Sequence, residues 1–176
     1  VSLVDKDKNI LAIGSNDVPK FKGGTYWPYF DESTGRVEDF ENGRDFKVGE
    51  DANTKEKNKI INEVLESITA VIEKSVDSER VQNITTEIES ALKNSKIKDI
   101  TEYGRVVHAE MDALLSCSRT NISTLGATLF VTTFPCHNCA KHILAAGIEK
   151  VIFVEPYPKS KAIDMHKEAI TQKWET

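Results

Sequence analysis

Two short groups of ligand-type residues stand 28 residues apart in this chain, His108-Ala109-Glu110 and Pro135-Cys136-His137-Asn138-Cys139. The two cysteines are three residues apart where a strand pattern gives way to a helix pattern, so both sulfurs can reach one metal ion. Free N–H groups and the helix dipole favour thiolates at such a helix start. A lone Cys-x-x-Cys also fits a redox pair, and a structural zinc site would need further ligands. No second pair is present, because the third cysteine, Cys117, stands alone. If the strands before the two helices run parallel, both helix starts lie at one sheet edge and His108 becomes the third ligand. Three protein ligands leave the fourth position open, which marks a catalytic zinc ion (Zn2+) rather than a structural one. Glu110, two residues beyond the histidine, can lean over that position without ligating and shuttle a proton there. Each residue alone has an ordinary reading as cap, dipole partner or core cysteine. Their combination points to metal-assisted hydrolysis.

The elements that must position these residues follow from hydrophobic period and turn signals. Val1 to Asp5 and Ile10 to Ile13 flank the polar turn Lys6-Asp7-Lys8-Asn9 and read as a β-hairpin. Residues 14–51 carry glycines, prolines and aromatics without a sustained period, and are expected to form a long ordered loop. Ile61, Val64, Leu65, Ile68, Val71 and Ile72 recur at helical steps, with Asn53 or Thr54 as cap; Val81, Ile84, Ile88, Ala91 and Leu92 repeat the pattern after Asp77 and Ser78. This hairpin of helices, an insertion at about 53–98, reads as core-facing, with a subunit interface as the other use of its apolar stripe. From His108 onward the pattern alternates: a helix over His108 to Ser118, a strand over Ala127 to Thr133 and a helix over His137 to Ala146 closed by Gly147. A strand over Val151 to Val154 and a helix over Ala162 to Gln172 follow. Alternation at this spacing predicts an α/β fold with a mixed, largely parallel sheet.

The bulk composition narrows the partners. The 176 residues fit one domain, and a formal charge of -5 disfavours a polynucleotide substrate, whose binding draws on clustered positive charge. It leaves room for a small phosphorylated one. The longest apolar runs are too short to span a membrane. Three cysteines including one close pair argue against a disulfide framework and for a reducing, cytoplasmic setting.

In these motifs the sequence resembles the zinc-dependent cytidine and deoxycytidylate deaminases, whose established mark is His-x-Glu followed by Pro-Cys-x-x-Cys. The likeness covers the hairpin from Val1 to Asn16 and the stretch from about Arg105 to Pro158. It implies a three-layer α/β/α cytidine deaminase-like fold, one zinc-dependent domain over 1–176, and a zinc ion on His108, Cys136 and Cys139. Glu110 would be the catalytic proton shuttle. It implies further that Asn16, in the turn after the second strand, contacts the sugar, and that the Ala109 N–H donates to the pyrimidine carbonyl. Phe134 would wall the base pocket, and Tyr157 would follow the fourth strand as an aromatic neighbour. Lys20, Lys22, Arg105, Lys159 and Lys161 flank the expected site edge; Arg105 is the first choice for phosphate, with Lys159 beside Tyr157 another. Val18-Pro19-Lys20, Gly23-Gly24-Thr25-Tyr26-Trp27, the run from Thr133 to His142, and Glu155-Pro156-Tyr157-Pro158-Lys159-Ser160 are similar to the deaminase domain of bacterial anti-phage deoxycytidine nucleotide deaminases. That likeness implies dCMP or dCTP as substrate, a homo-oligomer, and a cut from a longer protein with a preceding P-loop kinase-like domain. A tRNA or DNA base deaminase and a non-catalytic zinc-binding module remain alternatives on the same four residues.

Overall fold

Asp5 turns the first hairpin. Its carboxylate accepts hydrogen bonds from the N–H groups of Asp7 (2.9 Å) and Asn9 (2.8 Å), closing the connection between β1 (Ser2–Val4) and β2 (Ile10–Ile13). The computed structural model describes residues 1–49 and 51–173. After β2 the chain makes a narrow loop bridged at Pro19 and Thr25, then a second hairpin of β3 (Tyr29–Asp31) and β4 (Arg36–Glu38). This hairpin lies inside the segment expected to be a loop. Its strands are three residues long, and Phe30 and Val37, paired across it, are both exposed, so no buried-face alternation announced it. The Asp31 side chain, accepting from the Ser33 N–H at 2.9 Å, is the turn signal that was there to read.

Next come α1 (Asp45–Val48), α2 (Ala52–Ile72), α3 (Ser78–Asn94) and a 3-10 turn at Lys96–Asp99. The cap of α2 is Asp51, whose side chain accepts from the N–H groups of Asn53 and Thr54, rather than either of those residues. Asn53 instead donates its amide to the Ile100 carbonyl at 2.7 Å. Ile61, Leu65 and Val81 are the buried residues of these helices, where α2 packs against α3, and they lie outside the apolar core of the sheet; Val71, at the end of the stripe, is exposed.

The remaining elements are α4 (Ala109–Arg119), β5 (Thr128–Thr133), α5 (His137–Ala145), β6 (Lys150–Glu155) and α6 (Ala162–Met165). The chain forms two compact units, one of Val1–Arg44 with Val106–Thr176 and the other of Asp45–Arg105. In the first, four strands run in the order β2-β1-β5-β6. The sheet is mixed, as expected, yet its parallel part is confined to β5 and β6; β1 pairs antiparallel with both β2 and β5. A tight turn can join only antiparallel neighbours, and the helical crossover through α5 permits the parallel pair. Leu3, Leu129 and Val131 meet Ala113, Leu114 and Cys117 of α4 and Cys139 and Ile143 of α5 in one apolar core. On the other face Ile10, Ile13, Phe130, Ile152 and Val154 are exposed, so among the described residues of this unit α4 and α5 cover one face of the sheet. The last helix stops at Met165 instead of reaching Gln172. Ala162 is its one buried residue, and a short helix without an apolar face to bury does not propagate.

Candidate active site

The site lies where β5 gives way to α5 and where the chain, bridged at Val107 to Asp17, enters α4. α5 begins directly after β5, and Cys136 caps it, its sulfur accepting from the Cys139 N–H at 3.4 Å. His108 is the residue before α4. The two helix starts meet: His108 Nδ1 lies 3.4 Å from Cys136 Sγ and 3.4 Å from Cys139 Sγ. All three ligand atoms fall within 4.8 Å of one another. Zinc–sulfur and zinc–nitrogen bonds of about 2.3 and about 2.0 Å at a tetrahedral angle separate nitrogen from sulfur by about 3.5 Å. The cluster therefore has the span and the donor chemistry that a tetrahedral zinc requires. Cys117, the remaining cysteine, is buried in the core and plays no part.

Protons are shared unequally within the cluster. A hydrogen bond from Cys139 is the main cause that holds the Cys136 thiol far below its ordinary value, with His108 adding to it. The Cys139 thiol is pushed up, first by Cys136, then by burial and by the charge and hydrogen bonding of Glu110. His108 is raised above 6.5, chiefly by its hydrogen bond to Cys136. Glu110 itself is buried in the first turn of α4. It stands beside the cluster without belonging to it. His137, between the two cysteines, is also outside the cluster, and its Nδ1 is buried without a hydrogen-bond partner among the described residues.

The other expected contacts divide. Asn16 follows β2 as anticipated and lies against α4, where its Oδ1 accepts from the Ala109 N–H at 2.7 Å. The N–H expected to meet a pyrimidine carbonyl is thus held by Asn16. The half-buried Phe134 packs edge-on against Phe153 at 5.1 Å and lines a cavity with Ile143, Val151 and Ile170. Tyr157 and Lys159 share a loop fastened to the metal-binding turn by Ser160, whose hydroxyl donates to the Pro135 carbonyl at 2.7 Å. Arg105 belongs to the second unit and pairs with Asp45 at 2.9 Å, so its guanidinium is engaged by a carboxylate. Lys20 lies 4.9 Å over the Phe40 ring.

Sequence reasoning passed over two residues that the geometry brings forward. Ser160 stood only as the last residue of the stretch Glu155 to Ser160, with no role of its own. Asp112 did give one, as an acid inside the apolar run Met111 to Leu115; it is buried and accepts a hydrogen bond from the Ser15 N–H at 3.2 Å.

Comparison with known proteins agrees with this geometry. Residues 1–155 match the family model of the cytidine and deoxycytidylate deaminase zinc-binding region. ComE operon protein 2 of Bacillus subtilis (strain 168) is 47% identical over 53 residues, which is 30% of this chain and 28% of that protein. The deoxycytidylate deaminase of Enterobacteria phage T4 is 46% identical over 55 residues, 31% of this chain and 28% of its own. The Homo sapiens deoxycytidylate deaminase is 43% identical over 54 residues, 31% and 29% respectively. The chain thus matches less than a third of the length of these curated relatives. Among solved structures, the dCMP deaminase of cyanophage S-TIM5 in complex with dCMP and dUMP is 34% identical, covering 40% of this chain and 54% of that one at a TM-score of 0.35. With the family match running over both zinc-ligand motifs, the chain belongs to the zinc-binding cytidine and deoxycytidylate deaminase family.

Proposed function

We propose that this protein removes the exocyclic amino group of deoxycytidine nucleotides, dCMP or dCTP, by hydrolysis, yielding the deoxyuridine nucleotide and ammonia. The observation that carries the reading is a buried carboxylate, Glu110, beside a three-ligand cluster with no fourth protein ligand among the described residues. A zinc ion on His108, Cys136 and Cys139 would supply Lewis acidity toward the attacking oxygen. The chain's own groups do the rest. Glu110 takes a proton from the attacking water and returns it to the departing amine, so a C–O bond forms as the C–N bond breaks. Asn16 contacts the sugar and yields the Ala109 N–H to the pyrimidine carbonyl when substrate enters. Phe134 and Tyr157 bound the base. We assign the principal phosphate contact to Lys159, on the loop that Ser160 fastens to the metal-binding turn.

The names of the phage T4 and human relatives support a nucleotide substrate, and the net charge of -5 argues against a polynucleotide. No described helix is long and apolar enough to cross a membrane. We place the protein in the cytoplasm as a homo-oligomer and, from its resemblance to anti-phage deaminases, in depletion of the cytosine nucleotide pool during infection.

Ammonia release from dCMP, dCTP, deoxycytidine and cytosine-containing oligonucleotides tests the reading. Turnover of dCMP or dCTP well above the nucleoside is expected. Activity on oligonucleotides alone would overturn it in favour of a nucleic-acid base deaminase, and zinc retention without turnover on any base would leave a binding module. Lys159→Ala should raise KM for the nucleotide by about tenfold, the worth of a charge-assisted hydrogen bond, and leave the nucleoside unaffected. Equal effects on both would place Lys159 away from the phosphate.

A further inference from the structure

We propose that Asp112 is a positioning residue, holding the turn Gly14-Ser15-Asn16 on α4 so that Asn16 meets the substrate at a fixed place beside the metal ligands. Asp112 is 8% exposed and is one of three buried polar or charged residues among those described, with Thr25 and Glu110. A carboxylate is costly to bury without partners. Here one oxygen accepts the Ser15 N–H at 3.2 Å and the other lies 3.9 Å from Arg119 Nη2, one turn pair further along the same helix. Ser15 is 97 residues away in sequence, so this contact joins the end of the first hairpin to α4.

Three further features close on the same turn. Gly14 is pressed so tightly against α4 that a Cβ would lie 1.9 Å from the Ala109 carbonyl oxygen and 2.6 Å from the Ala113 nitrogen. Asn16 Oδ1 holds the Ala109 N–H, and Asp17 bridges to Val107 through a pair of backbone hydrogen bonds at 2.9 and 3.3 Å. The turn therefore runs along the very stretch, Val107 to Asp112, that carries His108 and Glu110. Gly14 permits the approach but cannot hold it, and Asn16 must release Ala109 if both are to engage a ligand. Asp112 is the contact that can persist while Asn16 changes partner. It fixes the backbone one residue before Asn16 and leaves the side chain able to turn.

The inference rests on the reading of Asn16 as a sugar contact, and its test separates the two. In the zinc-loaded protein, Asp112→Ala should raise KM for dCMP about tenfold, the worth of a charge-assisted hydrogen bond, with kcat changed less than about threefold. Asp112→Asn, which keeps an acceptor, should recover most of that loss. Asn16→Ala should raise KM similarly, and the double variant should be no worse than the poorer single one, because both act through one contact. A merely structural role would lower zinc content, move kcat and KM together and add to Asn16→Ala; that outcome overturns the proposal. Backbone amide exchange gives an arm free of turnover: the Ser15 amide should exchange at least about tenfold faster in Asp112→Ala, and an unchanged rate overturns the clamp even if dCMP proves not to be the substrate. If Asp112→Ala fails to fold, Asp112→Asn carries the test. Its weaker, uncharged acceptor should speed Ser15 exchange by a smaller factor, and no change in exchange would again overturn the assignment.

Discussion

Glu110→Gln should retain zinc at the level of the parent protein and lose about 10³-fold or more in kcat. The glutamine fills the same volume at the start of α4, so the packing around this buried position survives. It cannot take a proton from water and return it to the amine, and removal of such a proton-transfer group ordinarily costs about 10² to 10⁴-fold. A 10³-fold loss corresponds to about 4 kcal/mol of barrier. Metal content is the discriminating readout. Glu110 stands outside the three-ligand cluster but pushes the Cys139 thiol up, so removing its charge should, if anything, make that sulfur easier to deprotonate and the metal easier to hold. Full zinc with turnover abolished supports the shuttle. Turnover intact would remove Glu110 from the chemistry, and zinc lost together with turnover would make it a support of the metal site instead.

The zinc cluster was legible in the sequence because its information is local. Cys136 and Cys139 share a helix start, Glu110 stands two residues from His108, and the one inference needed was that two helix starts meet at one edge of a parallel pair. The starts do meet, but not through such a pair: β5 precedes α5, whereas no described strand directly precedes α4, and the chain before His108 is held by the bridge between Val107 and Asp17. Reading the same alternation as a largely parallel sheet went too far, because β1 enters from a hairpin and must run antiparallel to its neighbours. What sequence could not give were contacts set by distant partners. Arg105 pairs with Asp45, 60 residues earlier, a contact that no local pattern announces. The Ala109 N–H donates to Asn16, 93 residues earlier, a partner equally invisible to local pattern. The β3–β4 hairpin escaped because both its faces are exposed, so no buried side imposed a period of two. The last helix ends at Met165 for the converse reason: Ile163 and Met165 are exposed and the helix has no apolar face to bury.

Cys136→Ala should lose zinc and activity together, and zinc affinity in the parent protein should rise with pH. With three protein ligands, removal of one leaves two. Even the outer partners that orient metal ligands cost about 10 to 100-fold in affinity when lost, so loss of a ligand should exceed about 100-fold. The metal-free cluster sets the pH dependence. Cys136 is held as thiolate, Cys139 as thiol, and His108 keeps its proton to a pH above 6.5. Zinc must displace the Cys139 proton throughout the neutral range and, below the raised His108 value, the imidazole proton as well. Protons and metal compete, so lowering the pH weakens binding: about tenfold per unit where one proton leaves, and up to about a hundredfold per unit where two do. Chelator competition between about pH 6 and pH 8, with proton release followed in weak buffer, measures both slopes. A flat profile would mean that Cys139 is already ionised without metal. In Cys136→Ala the thiolate that raises His108 is gone, so the histidine should lose its proton at lower pH and the steeper limb should shift down. Far-UV circular dichroism should stay close to that of the parent, since Cys136 is only half-buried while the core cysteines Cys117 and Cys139 remain. Zinc retained at parental affinity in Cys136→Ala would show that another residue completes the site and would remove the three-ligand reading on which the catalytic assignment stands.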